Sequence, residues 1–269
     1  MTKYKEIYSS SIKNKEDFWQ KISNDIFWYS KPSKILNTEN PPFYKWFEDG
    51  VTNTCYNALD LHIDKGRGEK IAIIYDSPIT STQKKITYNE LRDQVALFAG
   101  ALKKQGVTKG DRVIIYMPMI PEAVIAMLAC GRIGAVHSVV FGGFAANELA
   151  SRIDDSKAKL IVSASCGYEP GRTVEYKPLL NKALELSNHK PDKCIIYQRE
   201  KFKAELNDSM DVSWENSLID VQPADCEKMK GSDYAYILYT SGTTGLPKGI
   251  VRDIAGHIVA LKWTMKNIY

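Results

Sequence analysis

From about residue 70 the chain alternates short apolar runs with amphipathic stretches, and this alternation limits the fold more than any other feature. Residues 71–75 read as a strand. Thr87 then opens a helix with Glu90 three positions on, the capping-box spacing. Leu91, Val95, Phe98, Ala99 and Leu102 give that helix a buried stripe, and Gly106 is placed to end it. Residues 113–117 form the next strand, and Pro121 starts a helix running to about Gly134. The series continues with a strand at 136–141, a helix at 145–154, a strand at 160–163, a helix at 178–187 and a strand at 194–197. This β-α-β-α-β-α-β order predicts an α/β fold whose mainly parallel sheet is flanked by helices. Ligands of such sheets sit beyond the carboxyl ends of the strands, so chemistry is sought in those loops.

Two regions stand outside the alternation. Residues 1–56 read as a separate opening segment and 57–269 as the core. Phe18, Trp19, Ile22, Ile26 and Phe27 are spaced for one short amphipathic helix. Pro32, Pro41 and Pro42, interleaved with Phe43, Tyr44, Trp46 and Phe47, then rule out regular helix and leave rings that need a surface. A lid packed on the core and a ligand-stacking aromatic patch are the two readings. Residues 199–233 are charged and aperiodic and read as a surface excursion.

Composition narrows the function. With 44% hydrophobic and 25% charged residues, the 269-residue chain has the apolar surface to fold, as one large domain or two modest ones. Its 36 basic and 32 acidic side chains leave +4, spread without a like-charged block, which argues against nucleic acid as a partner. The most apolar stretch, 113–146, is cut by Glu122, Arg132 and His137, short of the roughly 20 residues a membrane span needs. The charged start MTKYKEIYSS is no secretory signal, so the expected location is cytoplasmic. Cys55, Cys130, Cys166, Cys194 and Cys226 are odd in number, far apart and never in a C-x-x-C pair. They read as reduced thiols packed as small apolar groups, with a reactive thiol the alternative, and fit neither a disulfide framework nor a zinc site. His62, His137, His189 and His257 form no site in the sequence and read as structural or exposed.

The strongest candidate for chemistry is residues 239–249, YTSGTTGLPKG, after a strand-like run at 235–239. Gly242, Gly245 and Gly249 let backbone N–H groups converge on an anion. Thr240, Ser241, Thr243 and Thr244 add hydroxyl donors, and Lys248 adds a fixed positive charge. A polyphosphate suits that density of donors. It is no Walker A loop, because Gly242 and Gly245 enclose two residues and Pro247 precedes Lys248. Two weaker candidates also follow strands. One is the Gly142–Gly143 turn, which on spacing alone is a tight βα turn. The other is the loop 166–172, where Arg172 is a phosphate partner or a plain surface arginine. Both are expected to follow neighbouring strands.

YTSGTTGLPKG resembles the phosphate-binding signature of the adenylate-forming enzymes, the family of acyl-CoA synthetases, luciferases and peptide-synthetase adenylation domains. DFWQKI, KWFEDGVTNTCYNALD, KGDRVIIYMPMIPEAVIAMLACGRIGAVHSVVFGGF and SRIDDSKAKLIVSAS extend the likeness, to short-chain acyl-CoA synthetases, over nearly all the chain from about Asp17. SASCGYEPGR, YDSPIT and GHIVALKWTMKNIY look more like propionyl-CoA than acetyl-CoA synthetases. The resemblance implies the N-terminal part of the adenylate-forming fold and a two-step reaction. A carboxylate attacks the α-phosphate of ATP, and CoA then displaces AMP from the acyl-adenylate. It implies that Thr240, Ser241, Gly242, Thr243, Thr244, Gly245 and Lys248 hold the β- and γ-phosphates with Mg²⁺. Gly143 and Arg172 match CoA contacts, and Glu169 stands where acetyl enzymes carry an arginine. Less than half of a typical member is expected here. The acyl pocket, the adenine and ribose contacts, the Mg²⁺ glutamate and the adenylation lysine fall outside the chain. The expected substrates are ATP, a short-chain carboxylate (propionate, with acetate the runner-up) and CoA. An inactive remnant and one half of a split enzyme, completed by a separately encoded C-terminal half, are the other readings.

Overall fold

The computed structural model describes residues 3–240 and 247–269. It opens with two helices where the sequence predicts one, α1 (Lys3–Lys13) and α2 (Lys15–Ser23). Tyr4, Tyr8 and Ile12 of α1 stay exposed, so no core contact marks that helix in the sequence. β1 (Leu36–Asn37) pairs antiparallel with β2 (Lys45–Trp46), and β3 (Val51–Thr52) leads into α3 (Thr54–Ala58) and α4 (Asp60–Asp64). Trp19, Trp28, Trp46 and Phe47 pack with Met229, Ala235, Ile254 and Val259. The opening segment thus lies on the core as a lid.

The predicted first strand does not join the parallel sheet. β4 (Ile71–Ser77) forms an antiparallel hairpin with β5 (Thr82–Thr87). The Thr-Gln-Lys-Lys start of β5 is fully exposed, so no apolar alternation announces the second arm. α5 (Tyr88–Lys104) begins at the capping box: Thr87 Oγ1 accepts from the Glu90 N–H at 3.2 Å, and Glu90 Oε2 accepts from the Thr87 N–H at 2.7 Å. Thr87→Ala is expected to cost about 1 kcal/mol in urea unfolding, because it leaves a helix-terminal N–H without its side-chain acceptor.

The core then follows the predicted alternation through β6 (Arg112–Met117), α6 (Pro121–Ile133), β7 (Val136–Phe141), α7 (Ala146–Ser156) and β8 (Leu160–Ala164). Gly134, at φ 74°, ends α6 in the left-handed region. The expected loop at 166–172 is instead a second hairpin, β9 (Cys166–Glu169) with β10 (Arg172–Glu175). α8 (Tyr176–Leu186) and β11 (Lys193–Tyr197) come next. The supposed excursion then contributes β12 (Asp211–Ser213), α9 (Trp214–Ser217) and β13 (Met229–Lys230). Trp214 stacks on Phe98 with ring centroids 3.8 Å apart, and buried Asp211 pairs with buried Lys177 at 2.8 Å. Strands of two or three residues are too short to leave a readable period. β14 (Tyr234–Thr240), β15 (Lys248–Asp253) and α10 (Ala255–Asn267) close the described chain.

The main sheet runs β12-β11-β8-β6-β7-β14-β15 and is parallel except for the β14–β15 pair. β6 and β8 are buried along nearly their whole length, as expected for strands covered on both faces. β6 lies between β7 and β8, so the strands preceding the Gly142–Gly143 turn and the β9–β10 hairpin are not neighbours. No helix among the described residues is long and apolar enough to cross a membrane.

Candidate phosphate and CoA site

β14 runs parallel to β7 and reaches the carboxyl end of the sheet at Tyr239 and Thr240. β15 returns from there antiparallel, and its first residue, Lys248, is the direct cross-strand partner of Thr240. The two residues are thus paired across the strands at the carboxyl end of the sheet, where ligands of parallel sheets bind. Both residues are exposed, and among the described residues Lys248 has no carboxylate within ion-pair reach. Ser241, Gly242, Thr243, Thr244 and Gly245 lie outside the described residues.

The end of β14 is anchored from α7. Tyr239 donates its hydroxyl to Asp155 Oδ2 at 2.6 Å, and burial together with that carboxylate raises the phenol's pKa, so the proton stays on the ring. The buried Arg152 guanidinium lies 5.4 Å from the Tyr239 ring centroid and 5.3 Å from that of Phe144. One cation of α7 thereby lies over both the end of β14 and the residue after the Gly142–Gly143 turn.

That turn is fixed by two phenols. Tyr116, wholly buried in β6, donates to the Phe144 carbonyl at 2.9 Å. Tyr176, at the start of α8, lies against Gly142 on one side and Gly167 on the other, and a Cβ at either glycine would collide with its hydroxyl. Gly143 has φ 92°, and a Cβ there would reach Tyr176 and Val174 of β10. The β9–β10 hairpin is therefore held against the turn, and Glu169 and Arg172 lie on the hairpin face that Gly167 and Val174 turn toward Gly143. Although their strands are not adjacent, the hairpin that carries Glu169 and Arg172 packs by Val174 against Gly143. Arg172 is not free, however: its Nη2 and Nε lie 2.6 and 2.7 Å from Glu169 Oε2. On the hairpin's other face, Arg199 stacks on the Tyr168 ring at 3.7 Å. Tyr116, Arg152, Asp155 and Tyr176 were not legible as site residues, because each acts through a distant contact with no local spacing. The two glycines were the trace of Tyr176.

Three of the four histidines share one cavity. His62, His137 and His257 line one apolar cavity of about 600 Å³ between α4, α6 and α10. Tyr236 stands between two of them, with its hydroxyl 3.1 Å from His257 Nε2 and its ring 5.5 Å from that of His137. Burial, then the charge of His257, pushes His137 down to about 4, and burial and Arg252 lower His257 as well. In the unfolded chain these imidazoles take up protons near the ordinary 6.5, before the folded ones can. Thermal stability is therefore expected to be full above pH 6.5 and to fall as pH drops toward 4. His137→Phe is expected to flatten that fall in a melting series.

Comparison with known proteins places this geometry. The family described as AMP-binding enzyme matches residues 62–268, and the family described as acetyl-coenzyme A synthetase N-terminus matches residues 4–58. The chain is 52% identical to acyl-CoA synthetase short-chain family member 3, mitochondrial, of Rattus norvegicus, over 99% of this chain and 39% of that protein. It is 42% identical to acetyl-coenzyme A synthetase of Mesorhizobium japonicum, over 99% of this chain and 42% of that protein. Among solved structures, acetoacetyl-CoA synthetase from Streptomyces lividans superposes with a TM-score of 0.88 at 25% identity, over 98% of this chain and 40% of that one. The chain thus spans about two-fifths of the length of these relatives.

Proposed function

Because the chain belongs to the AMP-binding enzyme family, we propose that it supplies the phosphate-holding and CoA-facing part of a short-chain acyl-CoA synthetase that acts on propionate. The observation that carries this reading is the hairpin mouth, with Thr240 set directly across from Lys248 at the carboxyl end of the sheet. In the proposed reaction propionate attacks the α-phosphate of ATP. Lys248, Thr240 and the loop between them hold the β- and γ-phosphates and stabilise the charge that builds on the leaving pyrophosphate. CoA enters past Gly143, with Arg172 as the partner for a nucleotide phosphate once it parts from Glu169, and its thiol displaces AMP. Mg²⁺ takes oxygen ligands and keeps several waters. The Thr240 hydroxyl fits such a shell, and the ion would offset phosphate charge. The same proposal places the protein in the cytoplasm, where free thiols such as its five cysteines are ordinarily kept reduced.

Two observations support further readings. The 42% identity to an acetyl-coenzyme A synthetase favours acetate as the alternative acid. The chain spans 39% of a relative's length, and a part that binds nucleotide and CoA and turns over only with a C-terminal half is the other reading. ATP–pyrophosphate exchange with propionate, acetate and no acid tests all three. Exchange greatest with propionate supports the proposal, and equal or greater exchange with acetate overturns the acid assignment. No exchange from folded chain, restored by adding a C-terminal half, supports the split reading.

A further inference from the structure

The sequence places the five cysteines far apart, yet the fold brings two of them together. The Sγ atoms of Cys55, in α3, and Cys226, ahead of β13, lie within 4.8 Å of each other and of an Asp60 carboxylate oxygen. The backbone on both sides is tied down. Asn53 Nδ2 donates to the Glu227 carbonyl at 2.8 Å, the Glu227 N–H to the Arg132 carbonyl at 2.7 Å, and Arg132 Nε to the Ala224 carbonyl at 2.6 Å. These bonds hold the thiols at short reach before any bond joins them, so little chain freedom remains to be lost on closure.

The surrounding charges oppose metal binding. Arg132 Nη1 donates to Cys55 Sγ at 3.6 Å. Cys226 donates its S–H to Asp60 Oδ2 at 3.7 Å. Arg132 already engages both Asp60 oxygens, at 2.8 and 3.1 Å, so a cation here would stand against a buried guanidinium. Cys55 is wholly buried and Cys226 partly exposed, so a small reagent meets Cys226 first.

We propose that Cys55 and Cys226 form a redox modification site that closes a reversible intramolecular disulfide when it meets a low-molecular-weight disulfide such as oxidised glutathione. Cys226, the thiol that a small reagent reaches first, attacks one sulfur of the small disulfide, whose S–S bond breaks, and the released thiol carries away a proton. Cys55 attacks the Cys226 sulfur of the mixed disulfide and releases the second thiol with the second proton. Two protein thiols lose two electrons and two protons, and the small disulfide gains both as two thiols. The new bond staples α3 to the segment that runs through β13 into β14, and so to the strand that carries Thr240.

The test equilibrates the 269-residue chain, with EDTA present, in glutathione buffers from fully reduced to fully oxidised. Free thiols are then alkylated and the peptides mapped by mass spectrometry. The expected result is a Cys55–Cys226 peptide pair lighter by two hydrogens, abolished by dithiothreitol. A rise in melting midpoint on the order of 5 °C should accompany it. Cys226→Ser should melt like the reduced protein in every buffer. The proposal is overturned if Cys226 stops at the glutathione adduct, if it joins Cys130, Cys166 or Cys194, or if both thiols stay open to alkylation throughout. The wild-type peptide map needs no variant, so a poorly folded substitution leaves the result intact.

Discussion

Arg132→Met is expected to cost about 4 kcal/mol of stability, a large share of the roughly 5–15 kcal/mol that holds a domain folded. The Arg132 side chain is 5% exposed and that of its partner Asp60 is 14% exposed, so neither charge has water to fall back on. The guanidinium also donates to the Ala224 carbonyl and to Cys55 Sγ, which makes it the node joining α4, α6 and the segment before β13. Truncating one partner strands the other, and that desolvated carboxylate accounts for most of the loss. The double variant Arg132→Met with Asp60→Leu removes both charges and should recover a large part of it. Urea unfolding of the three proteins decides the matter. If the double variant is no more stable than Arg132→Met, the pairing with Asp60 is not what the arginine contributes.

Lys248→Ala is expected to slow propionate-dependent ATP–pyrophosphate exchange by roughly a hundredfold to a thousandfold, with a C-terminal half supplied if the chain does not turn over alone. Lys248 stands across from Thr240 at the end of an exposed hairpin, touches no part of the core and carries no ion pair among the described residues. Its loss should therefore leave the melting curve unchanged, which separates a phosphate-holding role from a structural one. Lys248→Arg keeps the charge at a different reach and should retain more activity than alanine. Equal exchange in all three proteins would remove Lys248 from the adenylation step.

The parts of the fold that could be read from the chain are those written in local spacing. β6, α6, β7, α7, β8, α8 and β11 each carry an apolar run or stripe long enough to show its period, and α5 announces its start through Thr87 and Glu90. β5 was hidden by its polar sequence and β12 by its length of three residues. The candidate site divided the same way. Thr240 and Lys248 were marked by composition, and the Gly142–Gly143 turn by its glycines. The residues that hold those pieces in place, Tyr116, Tyr176 and Arg152, each make a contact 28 or more positions away along the chain and leave no pattern of their own. The meetings of Cys55 with Cys226 and of His137 with His257 were invisible for the same reason.

Arg152 lies over Phe144 beside the glycine turn and over Tyr239 at the end of β14, and its own position is fixed by Glu148, whose carbonyl and carboxylate it reaches at 2.6 and 2.8 Å. Two segments that share a single guanidinium are linked through it. A ligand that drew on Tyr239 would change what Arg152 offers to the glycine turn, and a ligand seated on that turn would change what Tyr239 meets in return. Thermodynamic reciprocity would make the two effects equal in size, whichever ligand arrived first. Under the proposed function, the coupling between the two ligands rests in part on one side chain of α7.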